Sequence, residues 1–236
     1  MQRYFSDKKN NNIFILNDND SYHIKKVMRM NISDKIEIIH DKKLYICEIN
    51  SFDPVEASII ESKEDYNESD VNVILVQSMV NEQKMDLILQ KATELGVYKL
   101  VPYKAVNCVV KENDKINKKV SRWQSIVKEA SEQSKRNIIP EVSLPVSLSE
   151  LCKIQGDIKM ICSVNQKTKN IKKCIQGVKG CATIILVIGP EGGFDPKEEE
   201  TLMENGFIST SLGSRVLRTE TAGICALSMI NYEMMR

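Results

Sequence analysis

Two hydrophobic patterns divide this chain. From Ile13 to Ile60 the apolar residues fall in short β-branched or alternating runs: Ile13 to Leu16, Lys35 to Ile39, Leu44 to Phe52 and Val55 to Ile60. Asp, Asn, Lys and Pro turns separate them, so the pattern predicts a small, strand-rich domain. One helix is expected among the strands, over 22–30, because Ile24, Val27 and Met28 stand at i, i+3 and i+4 while Lys25, Lys26 and Arg29 face elsewhere.

Residues 62–70 are polar and without apolar period, and read as a linker. Beyond them strands alternate with helices, which predicts a mostly parallel sheet. Val71 to Val76, Leu100 to Pro102, Lys159 to Val164, Thr183 to Ile188 and Ile208 to Leu212 are the expected strands. A helix over 82–95 carries Met85, Ile88, Leu89, Ala92 and Leu95 on one face, with Gly96 just past its end. Ser121-Arg122-Trp123-Gln124 has the form of a capping box, predicting a helix over 121–135 with Trp123, Ile126, Val127 and Ala130 inward. Ser147-Leu148-Ser149-Glu150 repeats that signal for a short helix. Asp195-Pro196-Lys197-Glu198 combines an N-cap, a first-turn proline and a Glu at N3. The last helix, over 220–235, is apolar on nearly every side, as expected of one buried in the core or between subunits.

The bulk numbers add exclusions. The 236 residues are 42% hydrophobic and 28% charged, with a formal net charge of +1, so no global case for nucleic acid arises. Seven dispersed cysteines without a Cys-x-x-Cys pair fit reduced thiols in a cytoplasm better than zinc or disulfides. His23 and His40 have no ligand spacing, and no metal is expected. The start of the chain lacks the apolar core of a signal peptide, and Ile184 to Ile188 is far too short to cross a bilayer.

Two strand ends carry the chemistry. Ile188-Gly189-Pro190-Glu191-Gly192-Gly193-Phe194 and Leu212-Gly213-Ser214-Arg215-Val216-Leu217-Arg218-Thr219-Glu220-Thr221-Ala222 each leave a strand and enter a helix. Gly189, Gly192 and Gly193 permit close approach of a ligand to the backbone. Side by side, two such loops make a crevice at the strand ends of an α/β sheet. Neither loop has the lysine and hydroxyl of a P-loop, the dinucleotide glycine fingerprint or a nucleophile elbow. A ligand held by backbone and apolar contacts remains. S-adenosylmethionine fits, because its methyl is already activated and transfer needs positioning more than acid–base machinery.

These two segments resemble the bacterial 16S ribosomal RNA uridine N3-methyltransferases of the SPOUT class. Three further segments agree: Lys84-Met85-Asp86 with Gln90-Lys91-Ala92-Thr93-Glu94-Leu95-Gly96, Glu132-Gln133-Ser134-Lys135-Arg136-Asn137 with Pro140-Glu141, and Arg3-Tyr4-Phe5. The resemblance implies an α/β fold class with a PUA-like β-barrel over 1–68 and a trefoil-knotted α/β methyltransferase domain over 71–236. It also implies a homodimer formed through the C-terminal domain, with S-adenosylmethionine bent in the knot. Three departures stand out: Ser214 where the family usually has Pro, His40-Asp41 for an Asp-Gly turn, and Asn81-Glu82 where Gly or a basic residue is usual.

Carried over residue by residue, the cofactor cradle would comprise Ile188, Gly189 and Gly193 of the first loop and Leu212, Gly213, Ser214, Val216 and Leu217 of the second. Ser163 and Val164 would complete it. Ile188, Leu212 and Leu217 would flank the adenine, and backbone groups around Gly213 and Val216 would read its edge. Uridine N3 must lose a proton before it attacks a methyl group. Arg218 is the candidate for stabilising charge on the uracil oxygens, and Glu191 or Glu220 for taking the proton. A first-turn carboxylate such as Glu220 is also what a helix dipole alone favours. Basic residues flanking the crevice, Arg3, Lys25, Arg29 and Arg136 among them, are the candidates for 16S rRNA phosphates. The alternatives are a SPOUT enzyme acting on another nucleotide and a non-catalytic RNA-binding assembly factor.

Overall fold

The computed structural model describes residues 1–108, 115–166, 169–178 and 180–234. They form two compact units, Met1–Glu68 with Ser131–Ile139, and Ser69–Ala130 with Pro140–Arg236. Residues 131–139 thus interrupt a simple division near residue 70.

The first unit is a six-stranded sheet. Its strands are β1 (Arg3–Phe5), β2 (Lys9–Asn10), β3 (Ile13–Ile15), β4 (Lys35–His40), β5 (Lys43–Phe52) and β6 (Val55–Lys63), in the order β1-β4-β5-β6-β3-β2. Laid flat, the sheet would put β1 and β2 about 24 Å apart at ordinary strand spacing. Yet the chain from Phe5 to Lys9 spans at most about 14 Å. The sheet therefore closes into a barrel. Ser6 stitches the seam: its N–H donates to the Ile39 carbonyl and its hydroxyl to the Ile15 carbonyl. Tyr4, Phe14, Ile36, Ile38, Cys47 and Ile49 fill the interior. Asp41 and Lys42 both take positive φ, 48° and 65°, in the two-residue turn between β4 and β5, the backbone an Asp-Gly turn would supply.

The helix expected over 22–30 starts earlier and ends sooner. Helix α1 (Asp18–Tyr22) is capped by Asn17, and a single π-helical turn, His23–Val27, follows it. Ile24 is buried, but Val27 and Met28 are exposed, so the predicted stripe supplies only one core residue. The expected linker is also partly structured. β6 reaches Lys63, and the Glu68 carboxylate accepts Arg136 Nη2 at 2.6 Å with both side chains buried.

That contact corrects two predicted RNA ligands. Arg136 is 3% exposed and Arg3 1% exposed. Arg3 Nε donates to Glu37 at 2.8 Å, and its Nη1 donates to the carbonyls of Lys135 and Arg136. Both guanidiniums tie residues 131–139 to the barrel and present nothing to a phosphate. Arg29 is exposed, while Lys25 is ion-paired with Asp53.

The second unit holds a six-stranded parallel sheet: β7 (Asn72–Ser78), β8 (Lys99–Tyr103), β9 (Glu141–Val142), β10 (Ile158–Cys162), β11 (Thr183–Ile188) and β12 (Ile208–Thr210), ordered β12-β10-β11-β7-β8-β9. Its helices are α2 (Glu82–Glu94), α3 (Ile116–Gln133), α4 (Leu148–Leu151), α5 (Ile171–Ile175), α6 (Pro196–Glu204) and α7 (Thr219–Met234). Asn81 caps α2 through Lys84 N–H, and Gly96, at φ 79°, terminates it. The capping boxes of α4 and α6 form as expected. That of α3 does not: the helix begins at Ile116, and the Ser121 hydroxyl donates back to the Asn117 carbonyl within it. Ser121 is a tolerated interior serine because the preceding residues are themselves helix-compatible. Trp123, Val127 and Ala130 are buried as predicted.

The path of the chain after β12 decides the site. The Ser163 N–H donates to the Thr210 carbonyl, extending the β10–β12 pairing. The next residue, Ser211, points its N–H the other way along the pleat, and that N–H donates to the Lys169 carbonyl at 2.7 Å. Asn170 forms a parallel bridge with Ser211 as well. Ser211 therefore lies between two parts of one connection, the one joining β10 to β11. The chain beyond it threads that connection and returns to the middle of the sheet, where α7 packs on α2, α5, β7 and β11. Ala222, Gly223, Ala226, Leu227 and Ile230 are buried there, whereas Met229 and Tyr232 are exposed. Met235, the predicted end of this helix, lies outside the described residues.

Candidate cofactor and RNA site

Three loops meet where the chain threads itself. They follow β10, β11 and β12, and they line one cavity of about 700 Å³. Ser163 and Val164 come from the first loop, Ile188, Gly189 and Gly193 from the second, and Leu212, Gly213, Ser214, Val216 and Leu217 from the third. The structure thus brings together every residue expected in the cofactor cradle. Glu191 and Arg218 line the cavity too, whereas Glu220 stands behind it, half-buried at the start of α7.

The glycines are needed where they stand. A Cβ on Gly189 would lie 3.1 Å from the Phe194 ring, so a side chain there would push the ring back by a few tenths of an ångström. Gly193 and Gly213 have φ of 73° and 121°, which side chains other than glycine's rarely permit. The second and third loops are joined by a hydrogen-bond relay. Gln77 Nε2 donates to Thr219 Oγ1 at 2.9 Å, and Thr219 Oγ1 donates to the Gly189 carbonyl at 2.7 Å. Asn107 Nδ2 donates to the Gly193 carbonyl at 3.1 Å.

Among the described residues, the backbone groups of Val216 and Leu217 have no hydrogen-bond partner in the protein. The cavity therefore offers backbone donors and acceptors beside the aliphatic walls of Ile188, Leu212 and Leu217. That combination fits an adenine ring, whose edge is polar and whose faces are not. No group of three or more His, Cys, Asp or Glu among the described residues is arranged to hold a metal ion. No helix among them is long and apolar enough to cross a membrane.

Lys84 is one of several site residues that pattern did not single out. Lys84, from the first turn of α2, reaches the cavity. Its ammonium is 2.9 Å from Glu191 Oε1 and 3.9 Å from Glu220 Oε2. Partial burial pushes the Glu191 pKa up, but the Lys84 hydrogen bond and charge, with the residue's own backbone N–H, bring it below the usual glutamate value. Glu220 Oε2 is buried and, among the described residues, accepts no hydrogen bond. The only sequence signal for Lys84 was its place in the Lys84-Met85-Asp86 segment, which assigned it no role. Arg218 is exposed, and its guanidinium has no partner among the described residues.

Comparison with known proteins agrees with this geometry. The RNA methyltransferase domain family matches residues 67–231, and the RNA methyltransferase PUA domain family matches residues 16–60. The chain is 34% identical to the ribosomal RNA small subunit methyltransferase E of Bacillus subtilis, covering 99% of this chain and 97% of that relative. It is likewise 34% identical to the enzyme of the same description from Aquifex aeolicus, over 98% and 99%. The crystal structure of the Neisseria gonorrhoeae ribosomal RNA small subunit methyltransferase E bound to S-adenosyl methionine superposes with a TM-score of 0.88, at 31% identity over 99% and 98% of the two chains. A putative methyltransferase from Legionella pneumophila, in complex with bound SAM, gives a TM-score of 0.90 at 30% identity over 98% and 97%. Strand order, threading and sequence agree: the chain belongs to the RNA methyltransferase family and has its fold, a PUA-like barrel followed by a SPOUT α/β-knot methyltransferase domain.

Proposed function

We propose that this protein is an S-adenosylmethionine-dependent methyltransferase that modifies N3 of a uridine in 16S ribosomal RNA of the small subunit. One observation carries the reading: three loops of the knot line a single cavity of about 700 Å³, in a chain alike end to end to small-subunit rRNA methyltransferases. When bound, the cofactor supplies an activated methyl group.

The chain's own residues have three tasks in this reading. Ile188, Leu212 and Leu217 pack the adenine, while backbone groups of Gly213, Val216 and Leu217 read its edge; Ser163, Val164, Gly189, Gly193 and Ser214 shape the remaining wall. Arg218, exposed and unpaired beside the cavity, stabilises negative charge on the uracil oxygens. A carboxylate, Glu191 or Glu220, accepts the N3 proton. Because N3 lies on the Watson–Crick edge, the base enters unpaired or flipped out.

RNA phosphates are met by exposed basic residues such as Arg29 and, after release from Asp53, Lys25. The working form is a homodimer built on the second unit. Met229 and Tyr232 are exposed beside Ile171 and Leu212 on the outer side of α7, an apolar surface that a second copy would cover. An rRNA enzyme of this kind works in the cytoplasm.

The test is calorimetry with S-adenosylmethionine, followed by mass mapping of ribosomal RNA from cells with and without the protein. Micromolar binding and loss of one methyluridine are expected. Binding with loss of a different methylated nucleotide would make it a SPOUT enzyme of other specificity. A folded protein with no detectable cofactor binding would make it an assembly factor.

A further inference from the structure

The two candidate proton acceptors stand in unlike environments, and Lys84 makes the difference. Glu191 spends Oε1 on the Lys84 ammonium at 2.9 Å, and its carboxylate is held ionised, which weakens it as a base. Glu220 has one buried oxygen, Oε2, without a hydrogen bond, and the ammonium stands 3.9 Å from it. A buried carboxylate oxygen left unsatisfied is costly, and a catalytic role is one of the few physical reasons for keeping one. Glu220 also follows directly on Arg218 and Thr219, which both line the cavity. Lys84 itself comes from α2, so one ammonium stands near two carboxylates from different elements, Glu191 on the loop after β11 and Glu220 in the first turn of α7.

Resting on the methyltransferase reading above, we infer that Lys84 is a positioning residue that engages Glu191 and leaves Glu220 as the acceptor of the N3 proton. The step balances as a proton transfer. The N3–H bond breaks and its electron pair stays on nitrogen for the methyl group. An O–H bond forms on the Glu220 carboxylate, which then returns the proton to solvent. The other charged groups around the cavity, among the described residues, are Arg215 and Arg218 of the third loop and Glu199 of α6; β7 presents the uncharged Gln77 and Leu75 to the start of α7.

The experiment compares Glu191→Gln, Glu220→Gln, Lys84→Met and Lys84→Arg in the full-length protein. It measures methyl transfer to small-subunit RNA and, separately, cofactor binding by calorimetry. E220Q is expected to lower kcat by about a hundredfold or more, the usual share of a general base, while cofactor affinity stays within about threefold. E191Q is expected to lower kcat at least about tenfold less than E220Q does. K84M lowers kcat without weakening the cofactor, and K84R restores most of the loss. A readout in the free protein accompanies these: in K84M the Glu191 carboxyl, followed by carbon-13 NMR, titrates at higher pH. E191Q as damaging as E220Q, full activity in K84M, or an unmoved Glu191 titration each overturns the inference. A wild type that binds cofactor but methylates no RNA overturns the functional reading and this inference together. An active wild type with an active E220Q overturns the inference alone.

Discussion

Thr219 Oγ1 donates to the carbonyl of Gly189 at 2.7 Å, closing the second knot loop onto the first turn of α7. The same oxygen accepts from Gln77 at 2.9 Å, so its lone pair is engaged and its hydrogen is directed at Gly189. The loop after β11 and the start of α7, two edges of the cavity, thus share one hydroxyl. Thr219→Val keeps the shape and removes both bonds. We expect cofactor affinity to fall about tenfold and unfolding free energy to fall by about 1–2 kcal/mol. Thr219→Ser should retain both, and calorimetry with urea titration separates the two variants.

Gly189 and Gly213 should fail differently as alanines. At Gly189 the new Cβ meets the Phe194 ring at 3.1 Å. The ring must give by a few tenths of an ångström, and it forms part of the cavity wall, so cofactor binding should weaken in a protein that remains folded. At Gly213 nothing lies within 4 Å, but φ is 121°. There the cost is backbone strain of about 1–3 kcal/mol, and thermal unfolding should register it. Equal effects of the two alanines on cofactor affinity would contradict this division.

Arg218→Ala removes an exposed guanidinium that has no partner among the described residues. Methyl transfer should drop by about 10²-fold or more, as for loss of one oxyanion-type donor. Melting temperature and cofactor affinity should stay near wild type. Unchanged turnover would withdraw the electrostatic role from Arg218.

The buried arginines of the first unit make the opposite prediction. Arg136→Met strands the buried Glu68 carboxylate and should destabilise the protein by about 3–5 kcal/mol. Arg29→Ala leaves stability unchanged and lowers the salt dependence of RNA binding by about one unit of slope. Fluorescence titrations at several salt concentrations distinguish the two residues.

Stability should also fall in acid. Burial alone would raise the Glu37 pKa, but hydrogen bonds and charge from Lys135 and Arg3 outweigh it and hold the group below its ordinary value of 4.5. A carboxylate with a depressed folded pKa stabilises above its unfolded value, and that contribution is lost as pH falls through the folded one. Denaturant midpoints should therefore decline below about pH 4.5, and less steeply in Glu37→Gln.

What could be read in advance was local. The strand Thr183–Ile188, the capped starts of α4 and α6, the glycine end of α2 and the apolar face around Trp123 depend on neighbours within a few residues, and each appears as expected. The residues that line the cavity were legible through two motifs whose backbone demands are also local: glycine at positive φ, and a turn between strand and helix. Where a local signal misled, at Ser121, the hydroxyl was satisfied inside a helix that had already begun.

Tertiary structure alone decided the rest. No pattern shows that Ser211 passes between Ser163 and Lys169, because that depends on the order in which strands join a sheet. Nor does sequence tell whether an arginine faces solvent or a buried carboxylate. Arg3 and Arg136 resembled RNA ligands by charge, yet residues 34 to 68 positions away claim them. Lys84 reached Glu191 across 107 positions by the same route. Periodicity and capping fix what the chain does over one or two turns. Which charges meet is set by the closure of the barrel and the threading of the knot, and these bring together atoms that sequence distance keeps apart.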